Sequence, residues 1–183
     1  MKNLLTTLAL FATAQLHALD VGDKAPEFST KDDAGKTWSS ADHLGKKNII
    51  VYFSPAAMTG GCTKQACSYR DGADKLAKLD AVVVAVSGDH VDALKNFKIA
   101  ENLNFSLLSD TSGDISKAFG VPTRPGGKLK RTVQGKEVTL VRENTPARWT
   151  FVIGKDGKVI YKNSKVSPTK DLAEVSKAIK GGK

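Results

Sequence analysis

Two cysteines, Cys62 and Cys67, are the only thiols in the 183 residues, and both lie inside one stretch, residues 48–71. A thiol reacts as its thiolate. A helix N-terminus with a cation nearby lowers its pKa from ~8.5 to roughly 3.5–7.5. The residues before Cys62 build such a place. Ile49, Ile50, Val51, Tyr52 and Phe53 are a short apolar run, the pattern of a strand buried on both faces. Ser54-Pro55 ends it, because proline cannot donate to a sheet ladder. Thr59 is expected to N-cap a helix that opens through Gly60-Gly61, which puts Cys62 in the first helical turn. The free N–H groups of that turn favour a negative sulfur and can hold an oxygen-bearing substrate. The plainer alternative for two cysteines is a structural bridge or two small buried side chains. Their spacing speaks against a static bridge. Five residues apart on one helix, their Cα atoms stand about 8.7 Å from each other, beyond the ~7 Å limit for a disulfide. They can join only if the first helical turn unwinds.

The elements that must position this turn can be read from the periodicities. Helix after residue 59 is expected to run to about Leu79, followed by a buried strand from Ala81 to Val86. Val91, Leu94, Phe97 and Ile99 or Ala100 recur at helical spacing over 91–103. Phe105 to Leu108 reads as a short strand and Ser112 to Phe119 as a short helix. Residues 121–127 form a turn-rich loop, then Lys128–Val133 and Glu137–Val141 pair as a hairpin about Gln134-Gly135-Lys136. Ala147 to Ile153 is the next strand, Gly154–Lys158 turns it into Val159–Tyr161, and a terminal helix runs from Ser167-Pro168 through Ile179. Strands alternating with helices predict an α/β fold with a central mixed sheet flanked by helices. Phe28, Trp38 and Leu44 are apolar anchors of an N-terminal extension.

Length and composition fit one domain with a real core, at 40% hydrophobic and 26% charged residues. Met1 to Ala18 is expected to be a secretory signal peptide: Lys2 supplies the positive start, and Leu4–Ala12 is an apolar run too short to span a bilayer. Cleavage after Ala18 is favoured over Ala14, leaving residues 19–183 as a single domain. Export to the bacterial periplasm follows as the expectation, with no membrane insertion. The net charge of +9 favours anionic surfaces. The basic set Arg124, Lys128, Lys130, Arg131 and Lys136 on the expected hairpin is either a solvated face or a docking surface. His17, His43 and His90 are scattered, which indicates neither a metal site nor a Cys–His dyad; His43 reads as surface structure. No Cys-x-x-Cys, Walker or dinucleotide motif occurs, so no metal, cofactor or nucleic acid is expected.

Pro55-x-x-x-Thr59-x-x-Cys62, with Gly61-Cys-Thr-Lys-Gln-Ala-Cys-Ser-Tyr-Arg-Asp71, resembles the active-site motif of peroxiredoxins, in particular the Q-type or bacterioferritin comigratory branch. The resemblance implies a thioredoxin-like fold of the peroxiredoxin type, on which the hairpin near 124–143 is an elaboration, since short members of the branch have a compact connection there. It implies a thiol peroxidase for hydrogen peroxide and organic hydroperoxides. Cys62 would be the peroxidatic and Cys67 the resolving residue, joined in an intramolecular disulfide that a thioredoxin-like or other dithiol protein resets. Thr59 would hold the peroxide and Pro55 shield the sulfur. Arg148, before the Thr150-Phe-Val-Ile153 strand, would lie over the thiolate. Members of this branch are often monomers. A non-catalytic redox switch whose hairpin binds an anionic partner is the alternative from another class; the two diverge on repeated turnover.

Overall fold

The structure, a computed structural model, describes residues 19–181; the expected signal peptide, 1–18, lies outside the described residues. Nine strands and five α-helices follow one another as β1 (Ser29–Asp32), β2 (Thr37–Ser39), β3 (Asn48–Phe53), α1 (Gly60–Asp71), α2 (Ala73–Ala77), β4 (Ala81–Ser87), α3 (Val91–Glu101), β5 (Ser106–Ser109), α4 (Asp114–Ala118), β6 (Thr123–Val133), β7 (Lys136–Pro146), β8 (Thr150–Ile153), β9 (Val159–Asn163) and α5 (Asp171–Gly181). Seven strands make the central sheet in the order β2-β1-β5-β4-β3-β8-β9. The β3–β4 and β4–β5 pairs are parallel; β3–β8, β8–β9, β1–β2 and β1–β5 are antiparallel. The mixed sheet of a thioredoxin-like fold is therefore present, with β3 between β4 and β8.

β3 sits there because both its faces are apolar. Ile49 to Phe53 are completely buried, and the two-residue period of a strand sends alternate side chains to opposite faces. Ile50 and Tyr52 join a core with Ala66, Tyr69, Leu94, Phe97, Val175 and Ile179 under α1, α3 and α5. Ile49, Val51 and Phe53 join a second core with Val84, Phe119, Phe151 and Trp38. Phe119 meets Phe53 and Phe151 with ring centroids 5.5 and 5.2 Å apart, the tilted and edge-on arrangements that aromatic quadrupoles favour.

Three local expectations are corrected. The helix expected to reach Leu79 breaks at Gly72, and α2 resumes after it. A side chain at Gly72 would strike Leu172 of α5, so the close packing of α5 uses the glycine that interrupts the helix. The hairpin is much longer than its apolar pattern suggested, because Pro125, Gly126 and Gly127 belong to β6 rather than to a loop. A two-stranded ribbon tolerates proline, since both of its strands are edges. Gly126 is required because a Cβ would collide with the Arg142 carbonyl and the Glu143 backbone. The turn is Gln134-Gly135, both at positive φ (48° and 78°), as a two-residue hairpin with right-handed twist demands. Finally, the strand expected from Ala147 starts only at Thr150. Residues 147–149 carry the chain from the hairpin to the central sheet, and Arg148 is thereby outside the ladder.

The hairpin is docked rather than free. β7 exchanges backbone hydrogen bonds with the loop after β4 (His90 N–H to Val141 O and Glu143 N–H to Gly88 O, both 2.9 Å), and Leu140 is buried in the core under α3. Gly126→Ala is expected to cost about 1–3 kcal/mol through overpacking of this ribbon. The midpoint of denaturant unfolding measures it, and an unchanged midpoint would show that the ribbon yields without cost.

Candidate active site

The chain leaves the sheet at Phe53 and turns through Ser54–Thr59 into α1. The turn is held from three sides. The Ala57 N–H donates to Asp89 Oδ2 at 2.9 Å, and Asp89 is itself buried beside the Ser87 hydroxyl at 2.5 Å. Arg131 Nε of the hairpin donates to the Met58 carbonyl at 3.1 Å. Met58 sits at φ 56°, a left-handed conformation that a side-chain-bearing residue adopts only at a cost. The Thr63 N–H donates to the Thr59 carbonyl at 2.8 Å and closes the first helical turn.

Thr59 occupies the N-cap position, as expected, yet its side chain makes no cap hydrogen bond. Its hydroxyl donates instead to the Ala56 carbonyl at 2.9 Å. Cys62 is completely buried in the first turn of α1. Arg148 reaches it from outside the β8 ladder and donates from Nη2 to Sγ at 3.2 Å, while Nη1 donates to Gln65 Oε1 at 2.6 Å. Gly61 makes room for the guanidinium: a Cβ there would stand 3.2 Å from Nη2. Burial pushes the Cys62 thiol up, but Arg148 and hydrogen bonds from Ser54, Thr59 and the Ala56 backbone outweigh it and bring the pKa below the ordinary thiol value. Because a hydroxyl has one proton, donation from Thr59 to Ala56 and to the sulfur must alternate. Pro55 is half-buried in the same turn.

Cys67 is partly exposed on the same unbroken helix, and both cysteines are free thiols. Its Sγ donates to Glu101 Oε2 at 3.6 Å. Burial, supported by the Glu101 carboxylate and opposed by Arg70, pushes the Cys67 thiol up. The two sulfurs are thus poised oppositely: Cys62 tends to thiolate, Cys67 to thiol. The continuous helix keeps them at the roughly 8.7 Å Cα spacing of ideal geometry, so a bridge requires unwinding.

The structure brings together Pro55, Thr59, Cys62 and Arg148, and it adds residues that the sequence reading did not single out. Gln65 is three residues from Cys62 on one helix, and helical spacing alone could have placed it on the same side. Asp89 and Asp171 had no such signal. The basic hairpin set is not one face. Arg131 turns inward to Met58, and Lys130 pairs with Glu137 at 2.9 Å; Arg124, Lys128 and Lys136 are exposed. His43, read as surface without a partner, stacks on Trp38 with centroids 5.0 Å apart. Among the described residues, no helix is long and apolar enough to cross a membrane, and no group of three His, Cys, Asp or Glu side chains could hold a metal ion.

The AhpC/TSA family model matches residues 21–162. The chain is 38% identical over 162 residues to peroxiredoxin Bcp of Bacillus subtilis (strain 168), covering 88% of this chain and 96% of that one. Against chloroplastic peroxiredoxin Q of Oryza sativa subsp. japonica it is 36% identical over 159 residues, 86% of this chain and 65% of the relative. The crystal structure of peroxidoxin BcpB from Mycobacterium tuberculosis superposes with a TM-score of 0.75 at 30% identity, covering 90% of this chain and 99% of that one. Bacterioferritin comigratory protein of Xanthomonas campestris, a protein described for alkyl peroxide reduction, shares the fold with a TM-score of 0.70 at 23% identity, covering 90% and 97%.

Proposed function

The chain belongs to the AhpC/TSA peroxiredoxins, in the branch of Bcp and peroxiredoxin Q, and from that membership we propose how its own residues run a two-cysteine thiol peroxidase cycle. The observation that carries the assignment is the buried Cys62 sulfur under the Arg148 guanidinium, 3.2 Å away, at the start of α1. The Cys62 thiolate attacks the terminal oxygen of a hydroperoxide. The O–O bond breaks, the sulfur is oxidised to a sulfenic acid, and the leaving oxygen takes a proton to depart as water or an alcohol. Arg148 stabilises the thiolate and steadies the peroxide oxygens. The Thr59 hydroxyl and the first-turn N–H of Cys62 hold the substrate, and Pro55 shields the sulfur from water.

The first turn of α1 then unwinds. Cys67 displaces hydroxide from the Cys62 sulfur, its proton leaves with that hydroxide as water, and a disulfide forms. A thioredoxin-like dithiol protein returns both cysteines to thiols by exchange. Hydrogen peroxide and organic hydroperoxides are the substrates of this reading, and alkyl peroxide reduction by the Xanthomonas campestris relative supports the second class. A monomer, as members of this branch often are, suffices for the cycle, because both cysteines lie on α1 of one chain.

Intact mass and thiol count of the reduced protein after one equivalent of hydrogen peroxide test the cycle. Loss of two hydrogens and of both thiols within seconds supports it. A Cys67→Ser variant should instead gain one oxygen at Cys62 and stop after a single turnover when only a dithiol protein is supplied. An equal steady-state rate in that variant would remove Cys67 from the cycle.

We also place the mature protein outside the cytoplasm, in a bacterial periplasm, cleaved after Ala18. The apolar run behind Lys2 supports this reading. N-terminal sequencing of protein recovered from the periplasmic fraction should begin at Leu19. A chain retained in the cytoplasm with residues 1–18 intact would overturn it.

A further inference from the structure

Behind the thiolate, on the far side of Arg148, lies a carboxylate that the peroxidase chemistry does not use. Asp171 is the first residue of α5 and is completely buried. One of its oxygens, Oδ2, receives three hydrogen bonds: from Gln65 Nε2 at 2.7 Å, from the Tyr69 hydroxyl at 2.7 Å and from the Thr150 hydroxyl at 2.9 Å. Its other oxygen, buried, makes none. Burial pushes the Asp171 carboxyl up, with nearby Glu174 adding to it, while the Tyr69, Gln65 and Thr150 hydrogen bonds pull it down. Burying a carboxylate with one bare oxygen costs the fold free energy. An apolar side chain at the head of α5 would have cost none of it.

The chemistry of the donors shows what this carboxylate does. Gln65 is also completely buried, and its amide can face either way round. Oδ2 accepts from the Tyr69 and Thr150 hydroxyls, and the NH₂ end of Gln65 is the third donor that faces it. The carbonyl end is then left facing Arg148, where Oε1 accepts from Nη1 at 2.6 Å. With the amide turned over, an NH₂ group would confront the guanidinium, donor against donor. The arrangement thus has one polarity, running from Asp171 through Gln65 and Arg148 to the Cys62 sulfur at 3.2 Å. We propose that Asp171 is a positioning residue for the peroxidatic site: by setting the orientation of the Gln65 amide it holds the Arg148 guanidinium on the Cys62 sulfur. This rests on the reading of Cys62 as the peroxidatic thiol.

The sign of one measurement separates this role from a field effect. Removing a negative charge near a thiol, acting through space alone, makes the thiolate easier to form and lowers the thiol pKa. Loosening Arg148 does the opposite. The measurement is the pH dependence of Cys62 alkylation by iodoacetamide in a Cys67→Ser background, with the peroxide reaction followed in parallel by stopped flow. Asp171→Leu is of similar size and removes the acceptor that holds the Gln65 NH₂ group. It should raise the alkylation midpoint and slow peroxide reduction at neutral pH by roughly tenfold to a hundredfold, the scale of a small misplacement at a reacting centre. In a Gln65→Met background the same substitution should add nothing to the midpoint, because its effect passes through that amide.

A folded Asp171→Leu protein with an unchanged or lowered midpoint overturns the proposal. So does an Asp171 effect that persists in full without Gln65. If Asp171→Leu does not fold, Gln65→Met alone carries the test: a raised midpoint supports the relay and an unchanged one overturns it. Failure of the peroxidase reading looks different. Cys62 in the parent background would then alkylate with a depressed midpoint yet leave peroxide unconsumed, and the midpoint comparison would still decide whether Asp171 positions Arg148.

Discussion

Serine in place of Cys62 should abolish peroxide turnover, by a factor on the order of 10⁴ or more, the scale seen when a covalent nucleophile is removed. The substitution keeps the size of the side chain, and its polar oxygen can still accept from Arg148 Nη2. What disappears is an atom that ionises near neutral pH and can take up oxygen. Cys67 cannot substitute for it. Its thiol is pushed up rather than down, by burial and by Glu101, and Arg148 points at Cys62 instead. Peroxide consumption and free-thiol titration after excess peroxide check this. The variant should retain its single thiol and consume no peroxide at the wild-type rate. Turnover within tenfold of the parent would remove Cys62 from the chemistry.

Arg148→Met should slow the reaction with peroxide at neutral pH by about 10²–10³-fold, the usual consequence of losing one preorganised donor at a site of charge. Two effects combine. In the parent, burial alone would push the Cys62 thiol up, and Arg148 leads the groups that reverse it. Without the guanidinium, only the Ser54, Thr59 and Ala56 hydrogen bonds oppose burial. The sign of the pH dependence follows. The reactive form is the thiolate, so the rate falls as pH drops through the Cys62 pKa and levels off above it. For the parent this inflection lies below the ordinary thiol range. In Arg148→Met it should move upward, so that raising the pH recovers part of the loss. The part not recovered measures what the guanidinium contributes to the peroxide itself. Stopped-flow rates across pH separate the two, and an inflection that does not move would show that Arg148 does not govern ionisation. The same variant leaves Gln65 Oε1 buried without its donor, so a modest loss of thermal stability accompanies the kinetic change.

The motif and its local frame were legible in the chain because their causes are local. The Ile49–Phe53 run, the stop at Ser54-Pro55 and the N-cap position of Thr59 are set by residues adjacent in sequence, and all are found as expected. Element bounds failed where tertiary contacts overrode local pattern. The helix breaks at Gly72, where the missing side chain leaves room for Leu172 of α5. Pro125-Gly126-Gly127, which read as a loop, is strand because β7 lies across it. Arg131 was legible only as one of the basic hairpin set, since its partner is a carbonyl 73 residues away.

Residue order alone was enough to read the family, the candidate nucleophile Cys62 and the helical spacing that separates it from Cys67. A strand period, a helix rise and the Pro-x-x-x-Thr-x-x-Cys spacing are properties of a short segment. The tertiary structure decided how the nucleophile is activated and held. Arg148 meets Gln65 across 83 positions and Gln65 meets Asp171 across 106, and those encounters exist only once α1, β8 and α5 are packed on the sheet. The ionisation of Cys62 is a balance between burial and a guanidinium. Burial and the Arg148 contact arise only once the chain packs, so residue order alone does not set that balance.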